Sequence, residues 1–177
     1  MMSNICELQV NRYFDPTKYE IKNILDYTDP QGNIISCVVD FVRKSYEPDV
    51  DCDEYCEYNT YTEEEYEDCV EECKDSLKSL IIGSIEFDPV TLEVKKSTIP
   101  GTCYYVWAET TEQQQEREEL MRYIEDIGCS YDESWIHVHE FAGPPGREYE
   151  EEYPAICYYH LHDCRLPKIL SIINDKL

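Results

Sequence analysis

The chain has few positively charged residues and no long apolar run. Its 177 residues include 15 Lys and Arg against 39 Asp and Glu, a formal net charge of -24. Proteins bind DNA and RNA largely through Lys and Arg that displace counterions from phosphates. Because no run of basic residues occurs, we expect no direct nucleic-acid binding and no attraction to anionic membrane surfaces. No segment approaches the ~18 apolar residues that a membrane-spanning helix needs.

Glycine is also scarce, and the Gly-containing motifs of several enzyme classes do not occur. The six Gly form no Gly-rich phosphate loop, and no G-x-S-x-G nucleophile elbow occurs. Whether the protein is an enzyme is therefore uncertain, and the sequence leans towards a non-enzymatic role. The N-terminal residues contain no basic segment followed by an apolar one, the pattern of a secretory signal. We therefore expect an intracellular, cytoplasmic protein that is not secreted.

What the chain does contain is typical of a folded domain. Hydrophobic residues make up 42% of it, including 16 Tyr, which is too much buryable surface for a disordered chain. Its length fits a single domain, residues 1–177. Ten Cys in an intracellular protein indicate free thiols or metal ligands, since structural disulfides in the cytosol are common only in hyperthermophiles.

Hydrophobic periodicity and turn residues predict an α+β fold, a largely antiparallel sheet of hairpins with two to four helices. A turn at 28–33 joins strands 19–27 and 34–42, although residues 16–26 alternatively fit a helix that begins with Asp15-Pro16. The other predicted strands are 6–14, 80–87, 92–96, 102–108, 135–141 and 156–162. The predicted helices are 63–80, 111–127 and a short closing helix that begins at Pro167.

Residues 47–79 are predicted to form an acidic helical hairpin inserted in the domain. Cys52 with Cys56 and Cys69 with Cys73 form two Cys-x3-Cys pairs, each on one face of a helix. The facing pairs could form two disulfides, hold one zinc ion, or pack as small buried side chains. Residues 52–73 resemble the twin Cys-x3-Cys pattern of the small mitochondrial Tim chaperones and plant α-hairpinins. That local resemblance implies a cross-linked helical hairpin and carries no function.

The surface of this hairpin is the first candidate site. We predict that it binds a basic protein, in the groove where a nucleic-acid-binding protein holds its ligand, as a nucleic-acid mimic or inhibitor of the viral counter-defence or immunity type. Tyrosines among the carboxylates, Tyr61 included, would anchor the interface. An acidic surface that serves only solubility is the plain alternative, and a structural assembly subunit is another. The predicted partner-binding residues are Asp53, Glu54, Tyr55, Glu57, Glu63, Glu64, Tyr66, Glu67, Glu71, Glu150 and Glu151.

The second candidate site consists of two His-x-His doublets, His137 with His139 and His160 with His162. Residues i and i+2 of a strand share a face, so each doublet points both rings the same way. If the two strands pair across the loop 142–153, all four imidazoles could converge on a metal, with Zn the possible cofactor. The alternative function is therefore a small metalloprotein, possibly a metal-dependent hydrolase. Solvent-facing doublets would instead be ordinary surface histidines.

Overall fold

The computed structural model describes residues 4–48, 51–101, 110–137 and 154–177. These residues form an α+β fold with one six-stranded antiparallel sheet and five helices, which confirms the predicted class and adds one helix to the predicted number. In the described ranges, no helix has the length and apolar character needed to cross a membrane. The elements are α1 (Ile5–Tyr13), β1 (Tyr19–Thr28), β2 (Ile34–Arg43), α2 (Cys52–Asn59), α3 (Glu63–Leu80), β3 (Gly83–Phe87), β4 (Val94–Gly101), α4 (Thr111–Ile127), β5 (Ser130–His137), β6 (Pro154–His162) and α5 (Leu166–Asp175).

The strands lie in the order β1-β2-β3-β4-β6-β5. Both predicted hairpins are present, β1 with β2 and β3 with β4, so the alternative helix at 16–26 is wrong. In the first turn, the Asp29 carboxylate accepts hydrogen bonds from the backbone N–H groups of Gln31 and Asn33, both at 2.9 Å. Gly32 has a backbone φ of +86°, which residues other than Gly rarely adopt. Local turn chemistry therefore favours this hairpin over a helix.

The main core lies on one face of the sheet, under α1, α4 and α5. The predicted strand at 6–14 is wrong, because this segment is α1. Cys6, Val10 and Phe14 follow one another at intervals of four residues, all buried, so they share one helical face. Asn4 caps the helix by accepting from the Glu7 N–H at 3.0 Å. A disulfide from Cys6 to Cys37 ties α1 to β2.

The other predicted elements occur with shifted ends. Helix 111–127 is confirmed with its bounds, opened by a reciprocal cap between Thr110 and Gln113 and ended by Gly128 at a φ of +78°. β3 begins at Gly83, three residues later than predicted, because α3 continues to Leu80. The predicted strand 102–108, and residues 138–141 of the strand 135–141, lie outside the described residues.

The opposite face of the sheet carries the hairpin made by α2 and α3, which is inserted between the adjacent strands β2 and β3. Along β6, Cys157, Tyr159 and Leu161 belong to the main core, whereas Ile156 and Tyr158 meet the hairpin. Alternate residues of a strand point to opposite faces, so the hairpin packs on the second face. The Tyr158 hydroxyl donates to the Leu80 carbonyl at 3.0 Å and attaches the end of α3 to the sheet.

Candidate functional site

Two disulfides hold α2 against α3. Cys52 is bonded to Cys73 and Cys56 to Cys69, with Cα–Cα distances of 5.9 and 5.8 Å. The sequence left disulfides and a zinc site as alternatives, and the structure contains the disulfides. Since the four sulfurs are bonded to one another in pairs, they are not the thiolate ligands of a zinc ion. The result is the cross-linked helical hairpin that the Cys spacing predicted.

Side-chain caps start both helices of this acidic hairpin, defined here as residues 51–80. The Asp51 carboxylate accepts from the backbone N–H groups of Asp53 and Glu54 at 3.0 and 3.1 Å. Thr62 accepts from the Glu65 N–H at 3.2 Å, and the Glu65 carboxylate accepts in return from the Tyr61 N–H at 3.2 Å. Acidic residues also fill the first turn of each helix, where the helix dipole favours negative charge.

The carboxylates of the acidic hairpin form a dense array. Twelve acidic residues lie between Asp51 and Asp75, all exposed, and the hairpin contains only two lysines, Lys74 and Lys78. α3 has 18 residues and eight of these carboxylates. At 1.5 Å per residue it is about 27 Å long, so it carries roughly one negative charge per 3.4 Å. A single strand of duplex DNA has about the same linear charge density.

The tyrosines of the hairpin differ in exposure. Tyr61, in the turn between α2 and α3, is 93% exposed. Tyr55 is half-buried and packs with the cluster around Ile156, so it supports the hairpin. Tyr66 donates to the Asp53 carboxylate at 3.3 Å, and its pKa is raised, first by desolvation and then by the charge of Asp53. Among the hairpin tyrosines whose side chains the structure describes, Tyr61 is therefore the most accessible.

An open cleft of about 680 Å³ lies beside the cross-links. Its lining includes the acidic residues Glu47, Asp51 and Asp53 together with Lys74 and Leu77. Three carboxylates around one lysine leave the cleft negative, which suits a cationic side chain from a partner. Of the predicted partner-binding residues, Glu150 and Glu151 lie outside the described residues, and those on α2 and α3 share the acidic hairpin.

His137 and the doublet of His160 with His162 lie at opposite ends of a strand pair. β5 and β6 pair antiparallel, as the metal prediction required, but His137 is opposite Pro154, whereas His160 is opposite Asp132. Five residues separate Asp132 from His137, a distance of about 17 Å along a strand. This register does not bring His137 to His160 and His162, and His139 lies outside the described residues.

Neighbouring groups do not complete a metal site in the described part of the chain. No cluster of three or more His, Cys, Asp or Glu side chains there has a metal-binding arrangement. Cys164, two residues after His162, is bonded to Cys129, and Cys157 is disulfide-bonded as well. His162 contacts Asp163, with Nδ1 and Oδ2 3.0 Å apart. His160 makes a different set of contacts, which involve Ser97 and Ser134.

Comparisons with protein-family models, with curated proteins and with solved structures find no match to this chain.

Proposed function

We propose that this protein binds a basic protein through its acidic hairpin, in the groove where a nucleic-acid-binding protein holds its ligand, and so acts as a nucleic-acid mimic or inhibitor. The observation that carries the proposal is the combination of a doubly cross-linked helix pair with twelve exposed acidic residues on it. A rigid scaffold loses little conformational entropy on binding, so ordering the charged groups takes little from the binding free energy.

The charge pattern of the acidic hairpin supports a partner whose groove recognises phosphates. The mean charge spacing along the axis of α3 matches one DNA strand to a first approximation, and α2 adds three more carboxylates, Asp53, Glu54 and Glu57. A partner that arranges Lys and Arg along a phosphate backbone would meet carboxylates at a comparable interval. Association of such surfaces is fast and weakens with salt, because the Debye length is about 8 Å at physiological ionic strength.

The compartment is part of the proposal. We keep an intracellular site of action, and the four disulfides of the described residues restrict it to a setting where disulfides persist, such as a hyperthermophile cytosol. A count of titratable thiols in protein isolated from its native source, with and without prior reduction, tests this point. Free thiols at Cys52, Cys56, Cys69 and Cys73 in native material would contradict the proposal that the protein acts where its disulfides persist.

A competition assay tests the binding proposal. DNA-binding proteins of several architectures are each loaded with a fluorescent oligonucleotide, and its release by this protein is followed by fluorescence anisotropy. We expect competitive release from at least one of them, weakening as salt is raised. The variant Glu64→Lys/Glu67→Lys/Glu71→Lys should compete about 10- to 100-fold more weakly, since three reversed charges at about 0.5–1 kcal/mol each amount to one or two decades of affinity.

A matched variant separates the hairpin from overall charge. Glu112→Lys/Glu116→Lys/Glu119→Lys changes the net charge equally, on the exposed side of α4. It also covers the same separation of seven residues, with intervals of four and three in place of three and four, and includes one first-turn residue, as Glu64 is in α3. We expect this variant to compete within threefold of the wild type. Equal weakening by both variants, or release that salt does not affect, would contradict the proposal.

A further inference from the structure

The hydrogen-bond ladder between β4 and β6 is interrupted at Ser97. Residues Ile99–Gly101 pair regularly with Tyr159–Cys157. Ser97 is 4% exposed, and its side chain replaces its backbone as the partner of Leu161. The Ser97 hydroxyl donates to the Leu161 carbonyl at 2.6 Å and accepts from the Leu161 N–H at 2.8 Å. The Ser97 carbonyl instead accepts from the ring of His160, at 2.9 Å from Nδ1. The break in the ladder thus holds an imidazole in place.

These contacts determine the tautomer of His160. A carbonyl oxygen can only accept, so the Nδ1 atom carries the proton and the Nε2 atom of the neutral ring has a free lone pair. The Ser134 hydroxyl lies 2.8 Å from Nε2 and is therefore the donor of that hydrogen bond. Ser134 is exposed on β5, whereas His160 is half-buried. The reactive oxygen of the pair is on the solvent side.

We propose that Ser134 is a nucleophile activated by His160, in a site that acts on carboxylic esters. The arrangement has the three parts of an activated serine: a hydroxyl, a base within hydrogen-bond reach, and a third group that orients the base. Here the Ser97 carbonyl is the orienting group. Asp132 is paired opposite His160 and shares the face of β5 with Ser134, so its charge favours neutral or cationic esters over anionic ones. This activity is independent of the binding proposed for the acidic hairpin.

The reaction balances with water as the second substrate. Ser134 Oγ attacks the ester carbonyl carbon while its proton moves to His160 Nε2. The bond to the alcohol oxygen breaks, and that oxygen takes the proton from Nε2 as it leaves. Water then gives a proton to Nε2 and attacks the acyl group, the bond to Oγ breaks, and Oγ recovers the proton. The products are a carboxylic acid and an alcohol, and the enzyme is regenerated.

A fluorophosphonate probe tests the nucleophile directly. Attack of Ser134 Oγ on phosphorus would form a P–O bond and expel fluoride, leaving an adduct that peptide mass spectrometry locates. We expect the adduct on Ser134 of the full-length protein and none there in Ser134→Ala. The substitution His160→Gln should slow labelling at least about 100-fold, the lower range for general-base catalysis. Hydrolysis of p-nitrophenyl acetate should fall in parallel in both variants.

The control is another serine of the same strand and face. Ser130 is opposite His162, and its hydroxyl donates to the Asp163 carboxylate at 3.2 Å rather than to an imidazole. We expect Ser130→Ala to label and hydrolyse like the wild type. No adduct on Ser134, equal labelling of Ser130, or a rate unchanged by His160→Gln would each overturn the proposal and leave a structural hydrogen bond only. If His160→Gln loses the wild-type near-UV circular dichroism, the adduct position and the Ser134→Ala rate still decide the question.

Discussion

Removal of the inner disulfide of the acidic hairpin should loosen α2 against α3, while the outer disulfide Cys52–Cys73 still tethers its first residue. The substitutions Cys56→Ala and Cys69→Ala break this bond, and Ala avoids leaving a hydroxyl at Cys56, which is 0% exposed. α2 has only eight residues, whereas isolated helices shorter than about 12–15 residues are marginal in water. The cross-links are therefore the main contribution that keeps α2 in place.

The expected size of the effect follows from the loop that the bond closes. Cys56 and Cys69 are 13 residues apart in sequence, and a disulfide around a loop of that length contributes about 3 kcal/mol in the chain-entropy model. The free energy of opening α2 should fall by at most that amount, because the intact bond Cys52–Cys73 already restrains the same loop. Because about 1.4 kcal/mol corresponds to a factor of ten in an equilibrium constant, the opening equilibrium should increase by up to about 100-fold.

Native-state hydrogen exchange, read by mass spectrometry, measures this opening. Amides of residues 52–59 should exchange more than about threefold and up to about 100-fold faster in the double variant, the upper figure being the same conversion of about 3 kcal/mol, while those of β2 keep their protection. Tyr66→Phe is the control, because it removes the 3.3 Å hydrogen bond to Asp53 and leaves both cross-links intact. In Tyr66→Phe we expect the exchange rates of residues 52–59 to change by less than threefold.

The opposite result would refute the reasoning. If exchange in α2 stays within threefold of the wild type after both Cys substitutions, the packing of Tyr55 against the sheet holds the helix, and the rigidity of the charge array does not depend on the disulfides. Faster exchange in β2 as well would mean that the hairpin and the sheet unfold together. Either result would change which residues carry the proposed binding surface.

Two further predictions concern the body of the protein. Gly101→Ala should destabilise it by about 1–3 kcal/mol, the usual cost of overpacking, because a Cβ there would lie 2.3 Å from the Tyr159 ring; denaturant unfolding measures this, and a change under 0.5 kcal/mol would contradict it. Burial raises the pKa of Tyr19 and of Tyr159 to about 12. Both should therefore ionise at higher pH than exposed tyrosines in a titration followed by absorbance at 295 nm. A raised pKa of this kind stabilises the fold fully below pH 10, and the contribution is lost as the pH rises towards 12; equal unfolding free energies at pH 9 and pH 11.5 would contradict this sign.

Helix ends and turns were predictable because their causes are local. The predicted helices 63–80 and 111–127 have the observed bounds of α3 and α4. The features that set these bounds are local, namely the Thr62 cap of α3 and Gly128 at the end of α4. Pairing of the two Cys-x3-Cys segments also followed from spacing, although their oxidation did not. α1 was mistaken for a strand, since its weakly amphipathic residues become helical through the docking of Cys6, Val10 and Phe14 on the sheet.

The sequence by itself determined the charge of this protein, the density of carboxylates on its hairpin and most of its helices and hairpins, because each depends on residues close together in the chain. The tertiary structure alone decided the contacts between distant segments. The register of β5 on β6 separates His137 from His160, and the break at Ser97 joins His160 to Ser134, 26 residues away. Strand register and side-chain contacts across a sheet depend on how the whole core packs, and no local pattern encodes that.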